Sequence, residues 1–431
     1  MKKEVSIGLL GLGVVGSGVI KLIHDYQEQL NHQLGCSVRV KSILVRDLEK
    51  AQQINVNGAH ITTDFHEILE DPDIDIIVEV MGGIDTAHTY ITHVLQSKKS
   101  VITANKDLIA LRGPELLRIA EENEVDLFYE ASVGGGIPLL RSLSDGLVSD
   151  NIQKIMGIVN GTTNYILTKM DEDGTSYEDA LKDAQQLGFA ESDPTADVEG
   201  LDAAYKMVIL ARLAFLTNVD FDDVEVEGIS SIDGTDLSYA KQLGYTMKLI
   251  GYAECVGEHV DVHVQPTLLA QTHPLASVKN EYNAVYVNGE AVGETMFYGP
   301  GAGSLPTATA VMSDVAAAIR NLRLGVSGHS SVSPRFEKAD TPKDKQRSPF
   351  FIRIHAKDEV GAFASISQLF NKIDVSLERI IQKPKEKDIA EIVLITHTTS
   401  VATFEEVLKE LKQLDVVTSI ESHYRVEGDE S

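Results

Sequence analysis

Near the N-terminus an apolar run over residues 5–10 gives way to Gly11-Leu12-Gly13-Val14-Val15-Gly16, and then to a segment of helical length and period over 14–30. A strand that turns into a helix through G-x-G-x-x-G leaves few folds open. The first glycine permits the tight turn, the second lets the backbone approach a pyrophosphate, and the third lets helix and strand pack closely. Strand-like runs recur at 38–45, 75–80, 100–103 and 126–129, with helical segments around 64–70, 86–97 and 113–123 between them. Apolar strands alternating with helices predict an α/β unit, a parallel, doubly wound sheet of Rossmann type over 1–130.

Beyond residue 131 the order changes. Helices are predicted at 161–170, 176–187 and 199–216, followed by strands at 247–254, 259–268 and 283–288. A loop, YGPGAGSLPT, then leads into a helix at 307–321. Helices grouped before strands suit an α+β domain over 131–304. The helix at about 305–325 returns to complete the first domain. Residues 325–348 carry Ser, Pro and charge without periodicity and read as a flexible linker. From 349 to 431 the pattern is βαββαβ, the order of a ferredoxin-like unit. Through such a linker this last module is expected to move as a body.

A chain of 431 residues exceeds one ordinary core. Its 65 acidic against 38 basic residues, a formal net charge of -27, oppose binding to nucleic acid or to an anionic membrane. No apolar run reaches the roughly 18 residues of a spanning helix. Glu4 interrupts the basic N-terminus, and the glycines fall where a nucleotide turn needs them, so the segment is read as folded rather than as a signal peptide. Cys36 and Cys255 stand in no metal or redox spacing, which suits a reducing, cytoplasmic setting. His259 and His263 share one strand face, but no carboxylate pattern completes a zinc site.

Four stretches bear chemistry beyond the fingerprint. The second strand ends LVRD, where Arg46 suits a ribose 2'-phosphate while Asp47, one residue late, suits a 2'-hydroxyl. NADP(H) is favoured and NAD(H) stays open. In ITANKDLI, Lys106 follows a sheet strand and so lies near the carboxyl ends where ligands bind, although a surface loop lysine would read the same way. In GFAESDPTADVEGLDAAYK several carboxylates precede Lys206, and Asp202 sits one helical turn before it. That spacing makes a surface ion pair by default. The alternative is a set of carboxylates that keeps the Lys206 ammonium charged and binds a substrate amino group. The loop YEASVGGGIP can present carbonyls to a hard cation or serve as a crossover between domains.

Taken together, GLGVVG, TANKD, YEASVGGGIP, GIVNGTTNYIL, GFAESDPTADVEGLDAAYK and GPGAG resemble, in order from residue 5 to about 320, the homoserine dehydrogenase family. Residues 350–426, with Gly361 after the first strand, are similar to an ACT domain. The resemblance implies interconversion of L-aspartate 4-semialdehyde and L-homoserine in threonine and methionine biosynthesis. It implies Lys206 as proton donor and acceptor, Asp202, Glu191 and Gly188 at the substrate, and Lys106 between nicotinamide and substrate. Gly11, Leu12, Gly13, Val14, Val15, Gly16, Arg46, Thr103, Lys106, Gly188 and Gly303 would meet the cofactor. A sodium-type cation would sit on the loop at Glu130, Val133, Gly135 and Ile137, largely through carbonyl oxygens. A homodimeric core, tetramers through the ACT domains and threonine as effector are implied as well. Two other readings remain: a non-catalytic sensor built from the same two modules, and a dehydrogenase acting on an amine carbon. A sensor has no need of Lys106, Lys206 and Asp202 together.

Overall fold

Six parallel strands carry the first part of the chain: β1 (Glu4–Leu10), β2 (Ser37–Leu44), β3 (His60–Thr62), β4 (Ile74–Glu79), β5 (Ser100–Thr103) and β6 (Leu127–Phe128). Their order is β3-β2-β1-β4-β5-β6. The direction of progression reverses between β1 and β4, and such sheets open a ligand crevice beyond the strand ends there. β1 is buried at every position after Glu4, as a strand covered on both faces must be. The computed structural model describes residues 3–257, 259–329, 334, 339–386 and 388–428. Two compact units result, one from 1–155, 202–224 and 282–338, the other from 156–201, 225–281 and 339–431. No helix among the described residues is long and apolar enough to cross a membrane.

The helices of the sheet are α1 (Val14–Asp25), α2 (Gln27–Leu34), α3 (Leu48–Ala51), α4 (Phe65–Leu69), α5 (Asp85–Gln96) and α6 (Lys106–Glu122). Two depart from the sequence expectation. The segment 14–30 divides at Tyr26, and α6 begins already at Lys106 rather than near 113. Asn105 explains the second: its side-chain oxygen accepts from Leu108 N at 3.2 Å and caps the helix, so Pro114 lies inside it. Helix Ser304–Leu324 contributes Ala308, Val311, Val315 and Ile319 to the core that Val5, Ile7, Leu9 and Val19 form. The hairpin Tyr282–Gly289 with Gly293–Pro300 belongs to the same unit. Its second strand, which sequence reading partly gave to a loop, alternates half-buried and exposed positions.

In the second unit the long antiparallel pair Tyr245–Val256 and His259–Ala270 is followed by Val417–Glu427, which joins His259–Ala270 in parallel through Thr267, Leu268 and Leu269. Phe350–Lys357, Ile389–Thr396 and Leu377–Glu386 complete this mixed sheet. Helices Ala362–Lys372 and Val401–Leu411 cover the C-terminal strands around Phe350, Ile352, Phe370 and Phe404, giving the expected βαββαβ order.

This module does not hang on a free tether. Within the stretch expected to be a linker, 330–333 and 335–338 lie outside the described residues. Ala339–Asp340 pair with His259–Val260, and Arg347–Ser348 pair with Thr399–Ser400. Two-residue bridges leave no periodicity for a sequence reading to find. Beneath the seam, Arg353 reaches Asp236 at 2.6 Å and Glu391 at 3.2 Å. Tyr424 donates to Asp236 at 2.9 Å and Tyr239 donates to Glu391 at 2.6 Å. Asp236 and Tyr239 come from helix Gly234–Gln242, which the sequence reading missed and which Asp233 caps. Strand pairing and buried charges thus join the module to that helix, where sequence reading expected a bare linker.

Candidate active site

The glycine turn has the shape its sequence asks for. Gly11 has φ +105, and a Cβ there would stand 2.9 Å from Val80 O. A Cβ on Gly16 would stand 2.3 Å from Gly11 O, whereas one on Gly13 would meet nothing within 4 Å. Space above Gly13 and crowding around its two neighbours are what a pyrophosphate cradle requires. α1 starts from Gly13 with no side-chain cap, so its first amides are donors for an anion. Val14 is 70% exposed at this rim, an apolar residue in the position of a ligand cover, and Leu12 and Val15 beside it are half-buried. Helix Ser304–Leu324 also begins without a side-chain cap, from Gly303 at φ +122, and Ser304 Oγ donates to Val14 O at 2.8 Å. Two uncapped helix starts therefore meet. A dinucleotide phosphate fits this donor set.

At the end of β2, Asp47 is occupied as a cap, its side chain accepting from Glu49 N at 3.0 Å and Lys50 N at 3.2 Å. Arg46 is exposed and makes no ion pair or hydrogen bond among the described residues. Of the two residues that sequence reading weighed for the ribose, the guanidinium is the one not already engaged. At the ends of β4 and β5, Thr103 is fully buried and donates to Glu79 at 2.6 Å.

Two helices bring the charged residues together. Lys106 is the first residue of α6, and Asp202 and Lys206 stand one turn apart at the start of Leu201–Phe215. Lys206 Nζ lies 2.7 Å from Asp202 Oδ2, while Lys106 Nζ holds Asp202 Oδ1. Asp202 is 4% exposed and Lys206 9%, so the surface-pair reading of this spacing fails. Burial works to raise the Asp202 pKa, but the ammoniums of Lys206 and Lys106 outweigh it and hold the carboxyl below its ordinary range. The result is one carboxylate between two ammoniums, a net positive site against a largely apolar helix.

The other acidic residues before Lys206 have separate employment. Asp193 accepts from Thr195, and Asp197 accepts from Asn160 Nδ2 at 2.7 Å and Thr162 Oγ1 at 3.3 Å. Gly188 and Glu191 lie in the second unit. There Gly188 takes φ +79, and Glu191 is exposed while its carbonyl accepts from Gln185 Nε2 at 3.1 Å.

The loop 130–137 is buried almost throughout. The Glu130 carboxylate is held by backbone amides: it accepts from Leu140 N at 2.9 Å and Arg141 N at 2.8 Å, and the Glu130 amide donates to Asp314 at 2.8 Å. Among the described residues no donor reaches the carbonyls of Val133, Gly135 or Ile137, and Glu130 O takes only a 3.4 Å bond from Val133 N. Buried carbonyls seek partners, and carbonyl oxygens are the ligands that a hard cation takes. No cluster of His, Cys, Asp or Glu among the described residues is arranged to hold a metal ion.

One residue of this region escaped sequence reading. Glu79 ends β4 with no exposed surface, and a carboxylate closing the apolar run Ile76–Val78 of a parallel strand was the signal for it.

Residues 138–316 match the family described as homoserine dehydrogenase, 11–130 its NAD binding domain, and 350–416 the ACT domain. A homoserine dehydrogenase of Bacillus subtilis (strain 168) is 55% identical over 428 residues, 99% of each chain. The solved homoserine dehydrogenase of Thiobacillus denitrificans aligns with a TM-score of 0.94 at 35% identity, over 99% of each chain. A hyperthermophilic archaeal homoserine dehydrogenase solved in complex with NADPH aligns with a TM-score of 0.63 at 28% identity, over 74% of this chain and 98% of that one.

Proposed function

The chain belongs to the homoserine dehydrogenase family and is an oxidoreductase with a nicotinamide-dinucleotide domain; on that premise we propose that Lys206 carries the proton between L-homoserine and L-aspartate 4-semialdehyde. The observation that supports this most is the Asp202 carboxylate held between Lys106 and Lys206 away from water. The nicotinamide, when bound, supplies or accepts the hydride at the carbinol carbon. Reduction develops negative charge at the substrate oxygen, and the Lys206 ammonium both stabilises that charge and gives up its proton. Oxidation runs the same proton back to the amine. Asp202 keeps Lys206 directed, and Lys106 adds a second positive charge whose effect is larger in a site with little water. Glu191 and Gly188 are assigned to the substrate.

The cofactor is assigned as NADP(H), with NAD(H) the weaker alternative. Gly11 to Gly16, with Leu12, Val14 and Val15, would take the pyrophosphate, Arg46 the 2'-phosphate, and Thr103, Lys106, Gly188 and Gly303 the rest. Free Arg46 beside an occupied Asp47 supports this, as does the NADPH bound by the archaeal relative. A sodium-type cation is assigned to the carbonyls of Glu130, Val133, Gly135 and Ile137. The ACT module is assigned to feedback by threonine, an end product of the pathway, in a cytoplasmic enzyme with a homodimeric core and tetramers through the module.

Purified protein assayed at alkaline pH with L-homoserine or L-aspartate, and with NADP⁺ or NAD⁺, tests the reading. Turnover of homoserine alone is expected. Turnover of aspartate would make the enzyme an amine-carbon dehydrogenase, and turnover of neither would return the sensor reading.

A further inference from the structure

Glu79 stands in a place where an ordinary strand residue would be apolar. It is the last residue of β4, it has no exposed surface, and its strand partners are Leu10 on one side and Thr103 on the other. Its carboxylate accepts from Thr103 Oγ1 at 2.6 Å and from Met81 N at 2.7 Å. The Thr103 oxygen in turn accepts from Asn105 N at 3.0 Å. Asn105 then does two things: its Nδ2 donates to Gly83 O at 2.6 Å, and its Oδ1 accepts from Leu108 N to cap α6. A closed ring therefore runs from Glu79 through Thr103 and Asn105 to the Gly82-Gly83 turn and back through Met81. The next residue along the chain from Asn105 is Lys106.

Burial pushes the Glu79 pKa up, against hydrogen bonds from Thr103, the Met81 and Gly82 amides and Asn105, and among the described residues no lysine, arginine or histidine forms an ion pair with it. A buried carboxyl without an ion-pair partner is unfavourable for the fold, so a purely structural role is poorly served by it. What only an ionised carboxylate offers here is acceptance without donation at both oxygens. The Thr103 hydroxyl must then direct its proton to Glu79, which leaves its lone pair to the Asn105 amide and sets where α6 begins. Glutamine does not keep this donor order: its amide nitrogen faces the Met81 N–H, or it faces Thr103 and turns the hydroxyl proton out of the ring.

We propose that Glu79 is a positioning residue of this enzyme, acting through Thr103 and Asn105 to fix the start of α6 and thereby the place of the Lys106 ammonium against Asp202. The same ring shapes the Met81–Gly83 turn, whose backbone lies against Gly11: Val80 O and Met81 Cα are the atoms a Gly11 Cβ would meet, at 2.9 and 3.1 Å. One carboxylate thus sets both the lysine and the neighbour of the nucleotide turn. The catalytic consequence, though not the structural one, rests on the role assigned to Lys106 above.

Lysines of the full-length protein, reductively methylated with ¹³C, give one resonance each, and Lys106 is identified by Lys106→Arg. In Glu79→Gln the Lys106 resonance should move most of the way towards those of exposed lysines, and kcat with homoserine should fall about 10- to 100-fold, the size expected when a reacting geometry slips by about an ångström. In a Lys106→Met background the same change should alter kcat less than about twofold, because residues that act through one another are not additive. An unmoved Lys106 resonance, or full effects that multiply in the double variant, overturns the proposal. If the resonance moves but wild-type protein does not oxidise homoserine, positioning stands and the substrate assignment falls. Should Glu79→Gln fail to fold, Thr103→Ser should keep the ring and the wild-type resonance while Thr103→Val loses both. Equal behaviour of those two variants would also refute the ring.

Discussion

Replacing Arg353 by Met removes the cation that ties the C-terminal strands to helix Gly234–Gln242. The Arg353 side chain is 4% exposed and faces Asp236 (1% exposed, 2.6 Å), Glu391 (8%, 3.2 Å) and Asp233 (56%, 3.3 Å). Breaking a buried pair by deleting one partner costs about 3–5 kcal/mol, because the remaining charge stays out of water. Two buried carboxylates remain here, yet neither is bare. Asp236 keeps Ser422 at 2.6 Å and Tyr424 at 2.9 Å, and Glu391 keeps Tyr239 at 2.6 Å and His355 at 3.1 Å. Those partners place the loss at the lower end, about 3 kcal/mol, and exposed Asp233 adds little. A chain of separate units does not unfold in one step, so the measurement must be local. Hydrogen exchange of the amides in Phe350–Lys357 and Gly234–Gln242 should accelerate together, roughly 100-fold for about 3 kcal/mol. Exchange within threefold of wild type in both segments would show that the network does not hold the module.

Arg46→Ala should weaken NADPH about tenfold or more and NADH hardly at all, since only the former offers a phosphate to a guanidinium; equal losses in a binding titration would remove Arg46 from cofactor selection. Gly13→Ala should leave the thermal midpoint near wild type but weaken dinucleotide binding, because its Cβ meets no protein atom. Gly16→Ala should destabilise the fold by about 1–3 kcal/mol, its Cβ falling 2.3 Å from Gly11 O; similar behaviour of the two variants would refute the cradle. Although burial opposes it, hydrogen bonds from Tyr239, His355 and Arg353 bring the Glu391 pKa down to about 2. A depressed acid contributes stability that is fully present above its ordinary value and is lost as pH falls through the folded one. The Glu391 carboxyl ¹³C shift should accordingly titrate near pH 2, and Glu391→Gln should loosen the module at pH 7; titration near the ordinary value would contradict the network.

Local periodicity carried much of the fold. β1 and the glycines after it were legible because a both-sides-buried parallel strand is a continuous apolar run, and because a tight turn against Val80 excludes side chains. The start of α6 was not, because Pro114 looks like a first-turn residue until Asn105 is seen capping the helix several residues earlier. The strand Gly293–Pro300 has a clear period of two, but its glycine and proline end merges into a loop-like sequence. The charged site divides in the same way. Asp202 and Lys206 are neighbours by helical spacing alone, whereas Lys106 joins them only through tertiary folding. Arg353 and Asp236 are far apart in the chain, and no spacing rule pairs them. The Arg353 network was therefore hidden, and with it the contacts that join the C-terminal strands to helix Gly234–Gln242.

Lys206→Met keeps the length and the apolar stem of the side chain and removes the transferable proton. Single-turnover oxidation of L-homoserine by this variant, with NADP⁺ and NADPH affinities measured on the same protein, is the most direct test of the proton-transfer assignment. A rate roughly 10²- to 10⁴-fold below wild type is expected, with cofactor affinity changed less than about threefold. Turnover close to wild type would leave Lys206 as a buried structural ion pair and place the proton on another group.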